Sequence, residues 1–137
     1  MKKSKNINSI LKFLILLRNQ NLSEKNSHFV RIYIMEAFGN FEISSKEVIE
    51  SLCFNLLENN ENNEMVRYSA AMSLIKLSNE SSIKYLEKAL NDKCRYVREY
   101  SLIALERIGT NESLKIFKDY RSKYKNLDPL TTKDSQY

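Results

Sequence analysis

Residues that interrupt regular structure are scarce in this chain. Of its 137 residues, two are glycine, one is proline and none is tryptophan. Glycine and proline are the strongest local breakers of helices and strands. Little therefore interrupts the first 125 residues except Gly39, Gly109 and clusters of asparagine and serine. The composition predicts long helices joined by short polar turns.

Metal ligands are also scarce. The only cysteines are Cys53 and Cys94, 41 residues apart, and His28 is the only histidine. A protein zinc site needs three or four convergent ligands, so we expect no bound metal. Two unpaired thiols are typical of a reducing compartment, and we therefore expect a cytoplasmic protein.

Catalytic motifs are missing. No serine, cysteine or acidic pair is tied to His28 by a recognisable motif, and no glycine-rich loop is present to hold a phosphate. The sequence indicates no catalytic residue and no cofactor. A binding role is favoured over an enzymatic one.

A membrane-spanning run is missing as well. The apolar segment from Ile10 to Leu17 contains Lys12 and is too short to cross a bilayer. It follows three lysines but lacks the small-residue cleavage site of a secretory signal. Apolar residues recur here at helical spacing: Ile7, Ile10, Leu11, Leu14 and Leu17. They predict an amphipathic helix over about residues 8–20 and no membrane partner.

A short pattern occurs three times. Val-Arg pairs stand at Val30-Arg31, Val66-Arg67 and Val97-Arg98, 36 and then 31 residues apart. Small and apolar residues after each pair fall in matching columns: Ile34, Ala70 and Ser101; Ala37, Ser73 and Ala104; Phe38, Leu74 and Leu105; Phe41, Leu77 and Ile108. Self-similarity at this period marks repeat arrays, in which each unit buries its apolar face against the next. The sequence therefore predicts stacked helix pairs that present a surface to a partner.

The repeated segment resembles a known family. Val-Arg followed by a small-residue helix, a polar turn and a second helix resembles the HEAT repeat, in the bacterial form called the phycobilisome-lyase HEAT-like repeat, over residues 30–121. The third copy, from Val97 to Gly109, is the closest match. The resemblance implies an all-α, right-handed α-α superhelix of about three helix pairs with an N-terminal cap helix, acting as a protein-binding adaptor. It also implies an alternative role as a subunit or chaperone of a lyase system that attaches or detaches bilin chromophores on phycobiliproteins.

The repeat domain is predicted over residues 1–125. It comprises a cap helix at 8–20 and repeats at about 27–58, 64–91 and 95–125, with helices at about 27–41, 44–58, 64–78, 81–91, 95–108 and 112–125. Ser44, with Glu47 three residues later, predicts a capping box. Pro129 pushes the residue before it out of the helical region. We expect residues 126–137 to form a polar, disordered tail.

The repeat arginines Arg31, Arg67 and Arg98 suggest two roles. A row of arginines suits anion binding, but the resemblance implies a structural role in which they bond carbonyls and side chains at the junctions between repeats. The family usually has an acidic residue four positions before each arginine, and this chain has Ser27, Asn63 and Cys94 there. We therefore do not expect its acidic ladder. Asp92, six positions before Arg98, matches a second acidic position of the family.

Charge is distributed unevenly along the chain. Residues 1–31 carry seven basic and one acidic side chain, residues 32–83 carry three and eight, and residues 84–125 carry eleven and six. Phosphate-backbone binding needs a continuous basic stripe, so nucleic-acid binding ranks last. If the second helices of repeats two and three lie in register, two ion pairs form, Glu87 with Lys118 and Lys88 with Asp119. Lys84 and Lys115 then remain unbalanced.

The helix predicted over residues 44–58 is apolar over more than half of its circumference. Core packing between neighbouring helices accounts for such a wide arc. Alternatively, Phe54 and Leu57 reach the concave face as an apolar binding centre, with Lys84 and Lys115 at its rim to steer an acidic protein. These four are the candidate partner-binding residues. Three tyrosines close to the repeat arginines are expected to face solvent: Tyr33, Tyr68 and Tyr100.

Overall fold

The computed structural model describes residues 2–18 and 27–124, with side chains for residues 8–15, 17 and 27–124. This part of the chain contains seven α-helices, one 3₁₀ turn and no β-strand. The helices are α1 (Lys2–Arg18), α2 (Ser27–Asn40), α3 (Lys46–Leu56), α4 (Glu64–Leu77), α5 (Ile83–Ala89), α6 (Arg95–Ile108) and α7 (Asn111–Lys123). The predicted all-α fold class is confirmed.

The helices form two layers. Helices α2, α4 and α6 lie side by side, with α4 packed against both of the others, and we call this row the A layer. The B layer consists of α1, α3, α5 and α7, in which each consecutive pair is in contact. Helix α1 contacts α2, α3 packs on α4 and α5 packs on α6, so one arrangement recurs along the chain. The chain is an α-solenoid of helix pairs, and α1 occupies the first B-layer position.

Side-chain caps decide where helices begin. Ser45, not Ser44, caps α3, and its hydroxyl accepts a hydrogen bond from the Val48 amide. Glu47 is then one position short of the place from which it would close a capping box. The predicted cap is therefore wrong by one residue.

The second helix of repeat two is shorter than predicted. In place of one helix over residues 81–91, a 3₁₀ turn at Glu80–Ser82 leads into α5. The Asn79 side chain accepts a hydrogen bond from the Ser81 amide, and the Ser82 hydroxyl donates to the Asn79 carbonyl. Such local side-chain bonds to the backbone compete with helical hydrogen bonding, which delays the start of the helix.

The interior of the stack follows the repeat columns. Ala70, Leu74, Ala104 and Leu105 are all fully buried. Each buried leucine contributes about 1.5–3 kcal/mol of transfer free energy before the loss of conformational entropy is subtracted. The small residues let the A helices approach one another, and the leucines fill the space between the layers.

The contact between α2 and α4 is unusually close. A β-carbon added to Gly39 would lie 3.3 Å from the Ser73 Cα atom, so a larger residue would force the helices apart. The Ser73 hydroxyl donates a 2.6 Å hydrogen bond to the Met35 carbonyl. The side of α2 that carries Met35 and Gly39 therefore covers, at short range, the side of α4 that carries Ser73.

The first repeat departs from its predicted apolar stripe. Ile34 and Phe38 are buried, whereas Val30 is 41% exposed and Phe41 is 77% exposed. Phe41 lies beyond the last residue of α2, next to Glu42, whose φ of 53° turns the chain. Val30 lies on the flank of α2 opposite to α4, where the described residues include no A-layer neighbour.

The N-terminal helix α1 buries a narrower stripe than expected. Leu14 and Leu17 are buried and Ile10 is half-buried, but Leu11 is 50% exposed. Among the described helices, α1 packs mainly on α2 and α3, which accounts for the narrow contact. The Ile7 side chain and the predicted tail at residues 126–137 lie outside the described residues. Within the described ranges, no helix is long and apolar enough to cross a bilayer.

Candidate functional site

The repeat arginines Arg31 and Arg67 form buried ion pairs across the repeat junctions. Arg31 Nη1 lies 2.6 Å from Glu61 Oε2. Arg67 binds Asp92 through two hydrogen bonds, Nε to Oδ2 at 2.8 Å and Nη2 to Oδ1 at 3.1 Å. All four side chains are buried. The guanidinium groups of Arg31 and Arg67 are therefore covered and paired with carboxylates, and they do not form an exposed anion-binding row.

Acidic residues do link neighbouring repeats, contrary to our expectation, and they stand six residues before Arg67 and Arg98 instead of four. Glu61 precedes Arg67 by six residues, and Asp92 precedes Arg98 by six. Each carboxylate accepts a hydrogen bond from an arginine of the preceding repeat. It also accepts one from the backbone amide two residues later, of Asn63 or Cys94. Asn63 and Cys94, four positions before Arg67 and Arg98, are instead the N-cap residues of α4 and α6.

Each junction is closed further by backbone contacts. Arg67 Nη1 donates to the Glu61 carbonyl at 2.9 Å, and Arg98 Nη1 donates to the carbonyls of Asp92 and Lys93 at 2.9 and 3.0 Å. Burial alone would lower the pKa of the Arg67 guanidinium, but the hydrogen bond and charge of Asp92 raise that pKa above its ordinary value. The arginine therefore stays charged inside the junction.

The two cysteines lie in the interior. Burial, with a smaller contribution from the charge of Glu50, raises the pKa of the Cys53 thiol to about 12. Burial also raises the pKa of Cys94. Because the thiolate is the reactive form, neither side chain is suited to nucleophilic chemistry near neutral pH.

Phe54 lies on the one side of α3 that is not packed. Its neighbours in sequence on the packed side, Leu52 and Leu56, are buried, whereas Glu47 and Glu50 share its face and are exposed. Phe54 itself is half-buried, and so is Leu57 just beyond the helix. Phe54 is therefore partly accessible on the solvent-facing side of α3, in the last turn of the helix.

Lys84 and Lys115 are exposed on α5 and α7. Within the described ranges, neither of the two ion pairs expected beside them, Glu87 with Lys118 and Lys88 with Asp119, closes to bonding distance. The short α5 contacts α7 only slightly, so the register assumed from the sequence is not reached. Lys84 and Lys115 are thus exposed basic groups that no carboxylate of the described residues approaches to bonding distance.

The solvent-facing side of the B layer thus changes charge along the stack, and we call it the B surface. Glu47 and Glu50 lie beside Phe54 on α3, with Lys46 at 3.9 Å from Glu50. Exposed lysines dominate the next two helices: Lys84 and Lys88 on α5, and Lys115 and Lys118 on α7. An apolar group with acidic neighbours is followed by a basic region.

A tyrosine cluster was not predicted. Tyr68, Tyr96 and Tyr100 contact one another with ring centroids 5.9–6.3 Å apart, and Arg95 lies over the Tyr96 ring at 4.8 Å. Tyr68 and Tyr100 are half-buried by these contacts, whereas Tyr33, at 68% exposure, faces solvent as expected. The spacing of Tyr96 and Tyr100, one helical turn apart, was the available signal.

Comparison with known proteins agrees with this geometry. A family model for HEAT repeats matches residues 51–126, which is more than half of the chain. No curated protein shows significant sequence similarity to it.

Proposed function

Because the chain belongs to the HEAT-repeat family, we propose that it is a non-catalytic scaffold whose protein partner docks on the B surface. The partial exposure of Phe54 on the solvent-facing side of α3, in the last turn of the helix, carries this proposal. Aromatic side chains in such positions are enriched among residues that dominate binding energy. Leu57, also half-buried, extends the apolar contact.

The charges around Phe54 restrict the partner. Lys84 and Lys115 favour an acidic segment over α5 and α7, whereas Glu47 and Glu50 favour a neutral or basic segment next to the apolar contact. Exposed charges at the rim act mainly on association rate, and a desolvated aromatic group acts mainly on dissociation. We therefore expect the two sets of residues to have separable kinetic effects.

The test uses the full chain as bait for affinity capture from its source organism, followed by kinetics with the purified partner. Phe54→Ala should weaken binding by about 2 kcal/mol or more, mainly through faster dissociation. Lys84→Glu with Lys115→Glu should slow association, most strongly at low salt. Phe41→Ala is the matched control, because Phe41 is exposed on another part of the molecule.

The melting temperature of each variant separates binding from packing. If Phe54→Ala lowers it sharply while the folded protein binds normally, Phe54 belongs to the core and the B-surface proposal is wrong. If mixing with a linear tetrapyrrole changes the visible absorbance, the result favours the bilin role implied by the family resemblance. A salt-dependent shift with DNA or RNA would favour nucleic-acid binding.

A further inference from the structure

The B surface carries an excess of positive charge over its last two helices. Helices α5 and α7 together present six exposed basic and three exposed acidic side chains. Helix α3, which precedes them in the B layer, presents one exposed lysine and two exposed glutamates. Between α3 and α7, the basic part of the B surface therefore begins at α5.

Lys84 and Lys88 lie in the middle of the exposed side of α5. The packed side of this helix is formed by three buried residues, Ile83, Leu86 and Ala89. With about 3.6 residues per turn, positions 84 and 88 fall opposite to that side and one turn apart. Both ammonium groups therefore extend from the B surface into solvent.

Lys115 and Lys118 lie in the corresponding place on α7. Ser113 is buried, and Phe117 and Tyr120 are half-buried against the hydrophobic core. The two lysines, three positions apart and exposed, fall on the opposite side of the helix. Because α5 contacts α7, the lysines of the two helices form two adjacent rows. We call them the lysine rows: Lys84 with Lys88, and Lys115 with Lys118.

The lysine rows are not neutralised within the described part of the chain. No carboxylate there approaches any of the four ammonium groups to bonding distance. Glu87 and Asp119 are exposed on the same helices but stand to the side of the rows.

Other exposed lysines do have an acidic partner. Lys46 lies 3.9 Å from Glu50, and Lys93 lies 3.3 Å from Glu58. Within each lysine row, by contrast, two like charges stand one helical turn apart, an arrangement that repels. Negative charge from a bound partner would relieve this repulsion, so the rows favour an acidic occupant.

Two rows on neighbouring helices fit a helix better than an extended segment. A strand directs the side chains of one face along a single line. A helix directs residues i and i+4 to one flank and residues i+1 and i+5 to the next. Packed helices lie about 8–10 Å apart, comparable with the diameter of a helix with its side chains, about 10–12 Å. A helix lying over the groove between α5 and α7 therefore reaches both rows at once.

A phosphate backbone fits this surface less well. It needs a continuous basic stripe. Acidic side chains interrupt the surface at Glu47 and Glu50 on α3 and at Glu87, Glu112 and Asp119 beside the rows. Carboxylates that stand only over the lysine rows avoid these acids.

We propose that the partner contacts α5 and α7 through an acidic helix. Its carboxylates stand in two neighbouring rows, at positions i and i+4 and at positions i+1 and i+5, over the lysine rows. This inference rests on docking of a partner on the B surface and specifies the element that occupies the basic part. Exposed ion pairs are weak one by one, so the four contacts act together.

Two helix-stabilised, alanine-based peptides of equal charge are the probes. Each carries four glutamates and no large apolar residue. In the first peptide, the glutamates stand at i, i+1, i+4 and i+5 and form two neighbouring rows. In the second, they stand at i, i+2, i+5 and i+7 and point to opposite sides of the helix. Chemical-shift changes in the NMR spectrum of the full chain at low ionic strength measure each affinity and locate the contact.

We expect the two-row peptide to bind at least about threefold more tightly than the second peptide, with the largest shifts in α5 and α7. Lys88→Glu with Lys118→Glu should abolish this preference. Lys76→Glu with Arg107→Glu makes the same change in net charge at exposed positions of the A layer and should preserve it. The melting temperature checks that both double variants fold.

Three results would overturn the acidic helix. The first is that the two peptides bind equally or that neither binds. The second is that the largest shifts lie outside α5 and α7. The third is binding of double-stranded DNA at physiological salt that Lys88→Glu with Lys118→Glu abolishes, since a phosphate backbone would then be the occupant.

The docking of a partner on the B surface is tested separately. The peptides lack an apolar anchor, so Phe54→Ala should leave their binding within about twofold. A captured partner that binds Phe54→Ala as tightly as the unmodified chain would overturn the apolar contact even if the peptides bind as expected. Equal binding of the two peptides, with a partner that still depends on Phe54, would overturn the acidic helix alone.

Discussion

Helices α2 and α6 lie at opposite ends of the A layer, and their outer flanks differ in burial. On α6, Arg98 and Leu102 are buried, and α7 packs against the helix. On α2, Val30 and Tyr33 remain exposed. Equivalent repeat positions can differ in burial, because the exposure of each depends on whether a neighbouring helix covers it. An array of this kind needs a distinct solution at each end.

The largest expected effect comes from the interior junction that joins these ends. Arg67→Ala leaves the buried Asp92 carboxylate without its partner, and breaking such a pair costs about 3–5 kcal/mol. Urea unfolding measures the change, with Arg107→Ala, an exposed arginine near the end of α6, as the control. A cost for Arg67→Ala no larger than that of the control would mean that the ladder does not hold the repeats together.

Leu105→Ala tests the repeat register at the C-terminal end. The side chain is fully buried, and removing a buried leucine typically costs about 2–5 kcal/mol through lost transfer free energy and the cavity that remains. Met72→Ala, on an exposed position of α4, is the control. A cost below about 1 kcal/mol in urea unfolding would show that the column is exposed.

Alkaline pH should weaken the interior selectively. The folded state raises the pKa of Cys53 to about 12, whereas an unfolded thiol loses its proton near pH ~8.5. Stability from this group is fully present below the unfolded pKa and is lost as the pH rises towards 12, by up to about 1.4 kcal/mol per pH unit. Between pH 8 and pH 10, the free energy of unfolding measured with urea should fall less for Cys53→Ala than for the unmodified chain. An equal fall in both would contradict the raised pKa of Cys53.

The same substitution at two equivalent positions gives the most direct comparison. Val66→Ala removes two buried methyl groups and should cost about 1.6 kcal/mol, at about 0.8 kcal/mol per group. Val30→Ala, at the same repeat position in the first copy, should change the free energy of unfolding by less than about 0.5 kcal/mol. Similar costs would mean that Val30 is covered as Val66 is.

Removing residues 126–137 should have the smallest effect. Helix α7 already packs on α6, and the removed segment is polar with few apolar residues to bury. The melting temperature should therefore remain nearly unchanged. A marked fall would show that this segment contributes to the closed end of the A layer.

The sequence predicted the repeated parts best. The alanine and leucine columns of α4 and α6, the all-helical fold and the bounds of α6 could be read from periodicity, because each reflects burial of one stripe of a helix. Ser45 and the short α5 were missed, because neighbouring serine and asparagine residues compete as caps and only backbone geometry distinguishes them. Glu61 was missed because it stands in a run of asparagines that reads as a loop.

The candidate site was harder to predict. Phe54 was placed either in the core or on the surface, and the structure puts it between these extremes, since α3 is packed on every side except the one that Phe54 shares with Glu47 and Glu50. The ion pairs expected between α5 and α7 failed because they required a register that depends on the length of α5. The tyrosine cluster depends on which rings of α4 and α6 lie opposite one another.

Helical periodicity and the period of the Val-Arg pattern were enough to establish a stack of helix pairs, because burial of one apolar stripe is a local property of each helix. The partner of each arginine, the partial exposure of Phe54 and the open edge at Val30 and Tyr33 depended on packing. Val30 and Val66 are the same amino acid at the same repeat position, yet one is exposed and the other is buried. The difference lies in the neighbouring helix, which local sequence does not contain.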